Sequence, residues 1–225
     1  MLGAVLLGLA GFGLVATDDL LKGPLYHADV GVNDAVTRGQ AGGLPLHAAG
    51  ATLTHLGDTW TVVAVTALAA GWMLWKRQWL LAGWCATISV CVELVVAGLK
   101  AVFQRNRPGT VATVGHDYSF PSGHTLSAVA AVGACIILAT ETYRRTRTRP
   151  HVKVRTLWVL ALSLAAAVSL LTGLGRVLAQ RHWMSDVMAS WFLGLAVGGA
   201  ILLALSRAAP GGEAGPKAPP KAPEP

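Results

Sequence analysis

Long apolar runs separated by short polar connections dominate the chain, and their length sets the first expectation. A bilayer core about 30 Å thick needs roughly 20 apolar residues per spanning helix. Charge-poor segments of about that kind lie at residues 1–17, 59–75, 79–99, 119–140, 157–174 and 187–206. Glu93 interrupts the third, and His124 stands near the start of the fourth. The pattern predicts an all-α fold: an integral membrane bundle of about six transmembrane helices. It divides the chain into a first helix at 1–17, an outward loop at 18–58 leading to helix 2, a membrane domain at 59–206 and a tail at 207–225. The first segment, MLGAVLLGLAGFGLVAT, is short and has no positive leader. It reads as a retained helix, with a signal peptide as the alternative, and residues 18–58 lie outside in either case. The tail contains PGGEAGPKAPPKAPEP from Pro210 and has almost nothing to bury, so it is expected to be a disordered, Pro-rich cytoplasmic segment.

Composition agrees with the membrane reading. Of 225 residues, 53% are hydrophobic and only 13% charged, and the mean hydropathy is +0.53. A formal net charge of +7 raises the possibility of nucleic-acid binding. The basic residues instead form short clusters between apolar runs: Lys76 and Arg77, then Arg144, Arg145, Arg147, Arg149, Lys153 and Arg155. Positive short loops stay in the cytoplasm. That places the 2–3 and 4–5 loops and the C-terminus inside, and the 18–58, 100–120 and 175–186 connections outside. Aromatic and basic residues do not interleave as on a nucleic-acid surface. Cys85, Cys91 and Cys135 all fall inside apolar spans without metal-ligand spacing, and read as small packing residues.

Three polar groups stand at the outward ends of the later spans. In KAVFQRNRP, Lys100 ends span 3 and Arg107-Pro108 follows. Cations at a helix end can simply snorkel to headgroups, but positive charge on the outward side runs against the topology rule and suggests that an anion holds it. In PSGH, Pro121 suits a first helical turn, Ser122 offers a hydroxyl, Gly123 leaves room for a ligand, and the first-turn amides lack helical partners. Such a helix start binds phosphate; an interfacial histidine is the plainer reading of His124. In GRVLAQRHWMSD, His182 and Asp186 are four apart and share a helix face. Asp186 can hold the Nδ1–H of His182 and leave Nε2 unprotonated; the plainer reading is a surface ion pair beside interfacial Trp183. Arg176 lies a short loop before His182.

Together these groups supply two histidines, a carboxylate, at least three cations and a helix N-terminus on one side of the membrane. That inventory suits phosphoryl transfer: cations and amides stabilise the phosphoryl oxygens, one histidine attacks and the other protonates the leaving group. No Asp cluster accompanies them, so a magnesium or zinc mechanism is not expected. Arg105, His116, Asp117 and Arg181, in the outward connections, are candidates for headgroup recognition, with plain solvation as the alternative. Glu93 is an intramembrane acid two turns before Lys100, best matched by a structural partner deeper in the bundle.

The order K-x6-RP, PSGH, R-x5-H-x3-D resembles the type-2 phosphatidate phosphatase superfamily of lipid phosphate phosphatases, which shares its site with vanadium haloperoxidases. Here the motifs are Lys100 with Arg107-Pro108, then Pro121-Ser122-Gly123-His124, then Arg176 with His182 and Asp186. The resemblance covers about residues 50–205, including the THLGD approach to span 2. One position departs, since Gly175 stands where the family usually has serine; the loss of one hydroxyl should weaken binding by about 1 kcal/mol. The resemblance implies that His182 is the nucleophile, Asp186 its orienting partner and His124 the general acid. Lys100, Arg107, Ser122, Gly123 and Arg176 are implied to bind phosphate. No cofactor or metal is expected, and the substrate is expected to be a membrane lipid phosphate met at the outer face of the cell membrane. The expected activity is metal-independent hydrolysis of a terminal phosphate through a phosphohistidine. An undecaprenyl-diphosphate-like isoprenoid is favoured; phosphatidate, phosphatidylglycerol phosphate and diacylglycerol diphosphate are the other candidates. The competing readings are a phosphotransferase with a non-water acceptor and a carrier of anionic lipid or phosphate. The oligomeric state is left open.

Overall fold

The computed structural model describes residues 1–109, 118–146 and 154–208, and among these it is helical without a strand. The helices are α1 (Leu2–Leu21), α2 (Pro24–Ala41), α3 (Leu46–Thr54), α4 (Thr59–Trp75), α5 (Trp79–Phe103), α6 (Gly123–Leu126), α7 (Gly133–Thr146), α8 (Val154–Leu178) and α9 (Met184–Ala208). A single 3₁₀ turn, His55–Gly57, joins α3 to α4, and a π-helical stretch, Ser127–Val132, joins α6 to α7. Local chemistry marks several boundaries. Pro24 opens α2 where its missing N–H costs nothing. Asp58, extended at φ −63° and ψ 148°, is the N-cap of α4. The left-handed Gln104, at φ 46°, turns the chain off the end of α5.

Four of these helices are long and apolar enough to cross a bilayer: Leu2–Leu21, Trp79–Phe103, Gly123–Arg145 and Met184–Arg207. The expectation of about six spans is met only this far. The 17 residues of α4 extend about 25 Å at 1.5 Å per residue, just under the core thickness, and the described apolar part of α8 is the shorter Leu162–Leu178. Leucines on α1, α4, α5 and α8 lie exposed, among them Leu14, Leu68, Leu94 and Leu160. That suits a helix surface solvated by lipid tails. Trp60 at one end of α4, Trp75 at the other and Trp79 at the start of α5 are also exposed, as interfacial aromatics are. The chain is a multi-pass membrane protein.

Two expectations about boundaries need correction. Residues 18–58 are mostly helical: α1 runs on to Leu21, and α2, α3 and the 3₁₀ turn fill most of the rest. Proline and glycine near residues 23–24 and 42–45 break these helices without preventing them. Pro121 lies outside the helix it was expected to open; Ser122 is the N-cap and Gly123 the first helical residue. Of the tail, Arg207 and Ala208 belong to α9, while residues 209–225 lie outside the described residues, as do Arg147, Arg149, Lys153, His116 and Asp117.

A buried aromatic cluster lies under one end of the bundle. Phe120, fully buried, lies 4.7 Å from the ring of Phe103 and 5.8 Å from that of Phe12. Such aromatic pairs contribute about 0.5–1.5 kcal/mol beyond area, and they tie α1 to the end of α5 and to the approach to α6. At the opposite end Met73, Leu81, Cys85, Cys135 and Leu138 form a second buried cluster. Cys85 and Cys135 are free thiols with their sulfurs 3.2 Å apart. Glu93 has the structural partner expected of it: its Oε1 accepts a hydrogen bond from Ser127 Oγ at 2.6 Å, in the π-helical stretch.

Candidate active site

Helix direction brings the chemistry together. The start of α4, the end of α5, the start of α6, the end of α8 and the start of α9 all lie at the same end of the bundle, carrying Asp58, Lys100, His124, Arg176 and Asp186 respectively. Lys76, Arg77, Arg144, Arg145 and Arg207 belong to the opposite end, where Glu141 pairs with both Arg144 and Arg145.

His182 is buried, with 2% of its surface exposed, between the end of α8 and the start of α9. Its Nδ1–H donates to the carbonyl of Ser119 at 2.8 Å. Asp186 Oδ2 lies farther away, at 3.4 Å. The expected Asp186 orienting bond is therefore corrected: the main-chain carbonyl is the nearer partner, and the carboxylate adds field more than direction. The outcome for the ring is unchanged. A proton held on Nδ1 leaves a lone pair on Nε2, and Arg107 Nη1 stands 3.4 Å from that nitrogen. Burial, followed by the cations Arg176, Arg107 and Lys100, pushes the His182 pKa well below its usual value, so the ring is neutral at neutral pH.

Asp186 is held by other groups. It accepts from Arg105 Nη1 at 2.7 Å and from the Trp183 amide at 2.9 Å, and is fully buried. Arg105 is neither a headgroup contact nor a solvated loop residue. Its fork spans three carboxylates: Nε on Asp19 at 2.9 Å, Nη2 on Asp29 at 2.8 Å and Nη1 on Asp186 at 2.7 Å. Asp29 also accepts from the amide and the hydroxyl of Ser185. This network links α1 and α2 to the first turn of α9. The sequence offers only Asp19 and Asp29 as a signal, and acids are ordinary in a stretch that reads as an outward loop.

The described residues between α5 and α6 are tied to one another and to Trp183 beside His182 through main-chain carbonyls. Ser119 N–H donates to the Arg105 carbonyl at 2.8 Å, and Trp183 Nε1–H to that of Asn106 at 2.8 Å. Arg107 Nη1 also donates to the carbonyl of Arg181, a residue that is itself exposed. Ser122 is fully buried, with its hydroxyl 3.0 Å from that of Thr125, so the hydroxyl expected to meet phosphate is engaged inside its own helix turn. Gly123 begins that turn, and a side chain there would press on Val96. His124, half-buried, places Nε2 3.3 Å from Asp58 Oδ1. Lys100, Arg107 and Arg176 lie close enough to act electrostatically on both histidines.

Gly175 has a specific cause. A β-carbon there would stand 2.8 Å from the Gly50 carbonyl oxygen, 2.9 Å from Leu53 Cβ and 2.9 Å from the Thr54 amide. Helix α3 occupies the space a serine side chain would need. In exchange it brings Thr54 Oγ1 to 3.4 Å from Arg176 Nη1. Thr54 and Asp58 are site neighbours that lie outside the three motifs.

The PAP2 superfamily model matches residues 78–209, more than half of the chain. The chain belongs to the PAP2 superfamily, and that family together with the apolar helices makes it a membrane lipid phosphatase. Among solved structures it is similar to the first transmembrane PAP2 type phosphatidylglycerolphosphate phosphatase from Bacillus subtilis. The TM-score is 0.73 and the identity 20%, over 92% of this chain and 98% of that one. No curated protein matches.

Proposed function

We propose that the protein hydrolyses the terminal phosphate of a membrane lipid phosphate or isoprenoid diphosphate without a metal, through a phosphohistidine on His182. The observation that carries this is the tautomer of His182: Nδ1–H is committed to the Ser119 carbonyl while Nε2 faces Arg107. Nε2 attacks phosphorus, and the bond to the leaving oxygen breaks as that oxygen takes a proton from His124. Lys100, Arg107 and Arg176, with the Gly123 and His124 amides, hold the phosphoryl oxygens. Water then adds with His124 as base, and Nε2 departs with its electron pair.

An apolar groove of about 300 Å³ between α5, the end of α6 and α9 supports a lipid substrate. It is lined by Trp84, Ile88, Val92, Leu126, Leu193 and Val197, and Leu126 stands two residues after His124. The cations at the far end of the bundle support a cytoplasmic far end, and thus an extracytoplasmic site. An isoprenoid diphosphate remains the favoured substrate by family frequency. The 20% identical fold neighbour is a phosphatidylglycerolphosphate phosphatase by its description, so that lipid belongs on the same substrate panel. The test is release of inorganic phosphate by purified protein in detergent with EDTA present. Wild type should release it and His182→Ala should not; no release from any lipid on the panel contradicts the reading.

A further inference from the structure

Asp58 lies outside the residues matched by the family model, yet it touches the site. Its carboxylate is bracketed by two imidazoles, with Oδ2 2.6 Å from His55 Nδ1 and Oδ1 3.3 Å from His124 Nε2. The His55 side chain is 73% exposed, whereas those of Asp58 and His124 are each 31% exposed, so the trio runs from solvent to the site. The turn carrying Asp58 is tightly seated. Thr61 Oγ1 donates to the His55 carbonyl at 2.8 Å. A β-carbon at Gly57 would stand 2.4 Å from Thr172 Cγ2 and 2.9 Å from the His124 carbonyl oxygen. The carboxylate therefore stands beside His124 on a turn with no room to shift.

We propose that Asp58 is a positioning residue for His124: it draws Nε2–H of the protonated ring toward itself and so aims Nδ1–H at the leaving oxygen. The proposal rests on the reading of His124 as general acid. Nδ1 has no hydrogen-bond partner among the described residues. Arg176, Lys100 and Arg107 all repel a positive ring, and Asp58 is the carboxylate that opposes them. In the first step the His182 Nε2 lone pair forms the N–P bond and the P–O bond to the lipid breaks toward oxygen. The proton from His124 Nδ1 passes to that oxygen, leaving His124 neutral. In the second step water gives a proton back to Nδ1 as its oxygen bonds phosphorus, and the N–P pair returns to Nε2. Asp58 exchanges no proton in either step.

The test compares kcat/KM for dioleoyl phosphatidate and for p-nitrophenyl phosphate in detergent. This ratio covers only the steps up to departure of the leaving group. An alkoxide needs the proton and a nitrophenolate scarcely does. General acids contribute about 10²–10⁴-fold. Asp58→Asn should therefore lose roughly 30-fold or more on phosphatidate and under about 3-fold on the aryl ester, with detergent Tm unchanged. In a His124→Ala background the same change should cost less than about 2-fold. Should Asp58→Asn not fold, Asp58→Glu, which keeps the charge but moves it, should show the same substrate split at smaller size. Equal losses on both substrates, or a full loss in the His124→Ala background, overturn the proposal. If His124→Ala shows the split and Asp58→Asn does not, the proposal alone fails. If wild type cleaves neither substrate, the functional reading fails with it.

Discussion

Restoring the family serine, Gly175→Ser, should damage the protein. From the motif alone the change adds back a hydroxyl and about 1 kcal/mol of binding. The packing of α3 on α8 reverses the sign. The three contacts met by a new β-carbon are at 2.8, 2.9 and 2.9 Å, and the atoms involved are a carbonyl oxygen, a β-carbon and an amide nitrogen. No side-chain rotation moves any of them, so α3 itself must shift. Overpacking of this kind costs about 1–3 kcal/mol. Serine recovers about 0.5 kcal/mol over glycine in helix propensity, leaving a net loss of about 0.5–2.5 kcal/mol. For a chain of this length that lowers Tm by about 1–10 °C. The shift also carries Thr54 away from Arg176 and the turn holding Asp58 away from His124. A displacement near 1 Å in such a site can cost 100-fold, so kcat/KM should fall about tenfold or more. Thermal denaturation in detergent and phosphate release from a lipid phosphate measure the two effects. A variant as stable as wild type and equally or more active would refute the close approach of α3 and α8.

The other predictions concern charge and protons. Arg105→Ala leaves Asp19, Asp29 and Asp186 buried without their shared cation, and breaking a buried pair costs about 3–5 kcal/mol; thermal denaturation should show a large loss that Arg105→Lys does not rescue, since one ammonium cannot span three carboxylates. Wild-type Tm in the Arg105→Ala variant would contradict the network. Because His182 stays neutral in the folded protein while the unfolded ring takes a proton below about pH 6.5, acidification through that range favours unfolding. Stability measured from pH 7.5 to 5.5 should fall more steeply in wild type than in His182→Asn, and equal slopes would count against the buried neutral ring. His124→Ala should cost less with an isoprenoid diphosphate than with phosphatidate, because a departing phosphate needs less protonation than an alkoxide; equal losses argue against His124 as general acid.

Apolar run length and motif spacing made the membrane fold and the histidines legible, because both are local properties of the chain. What was missed is non-local or carries no side-chain signature. The carbonyl of Ser119, which directs His182, is main chain and could belong to any residue type. Asp29 joins Arg105 and Ser185 across 76 and 156 residues, distances at which spacing says nothing. Arg105 reads as one more loop cation until its three acids are seen around it. Asp58 carried a partial signal, an acid placed where a helix N-cap belongs, just before an apolar run. Gly175 looked like a loss from the motif because the residues that fill its space come from α3, far away in the chain.

The central claim is that His182 carries the phosphoryl group. Purified protein should be mixed with terminally labelled isoprenoid diphosphate, or with labelled phosphatidate, in the presence of EDTA. The mixture is quenched in alkali, which preserves phosphohistidine, and the peptides are analysed by mass spectrometry. The account predicts a transient label on the peptide containing His182, formed at least as fast as turnover and absent from His182→Ala. Active enzyme with no label on that peptide, or with the label on another residue, would contradict it.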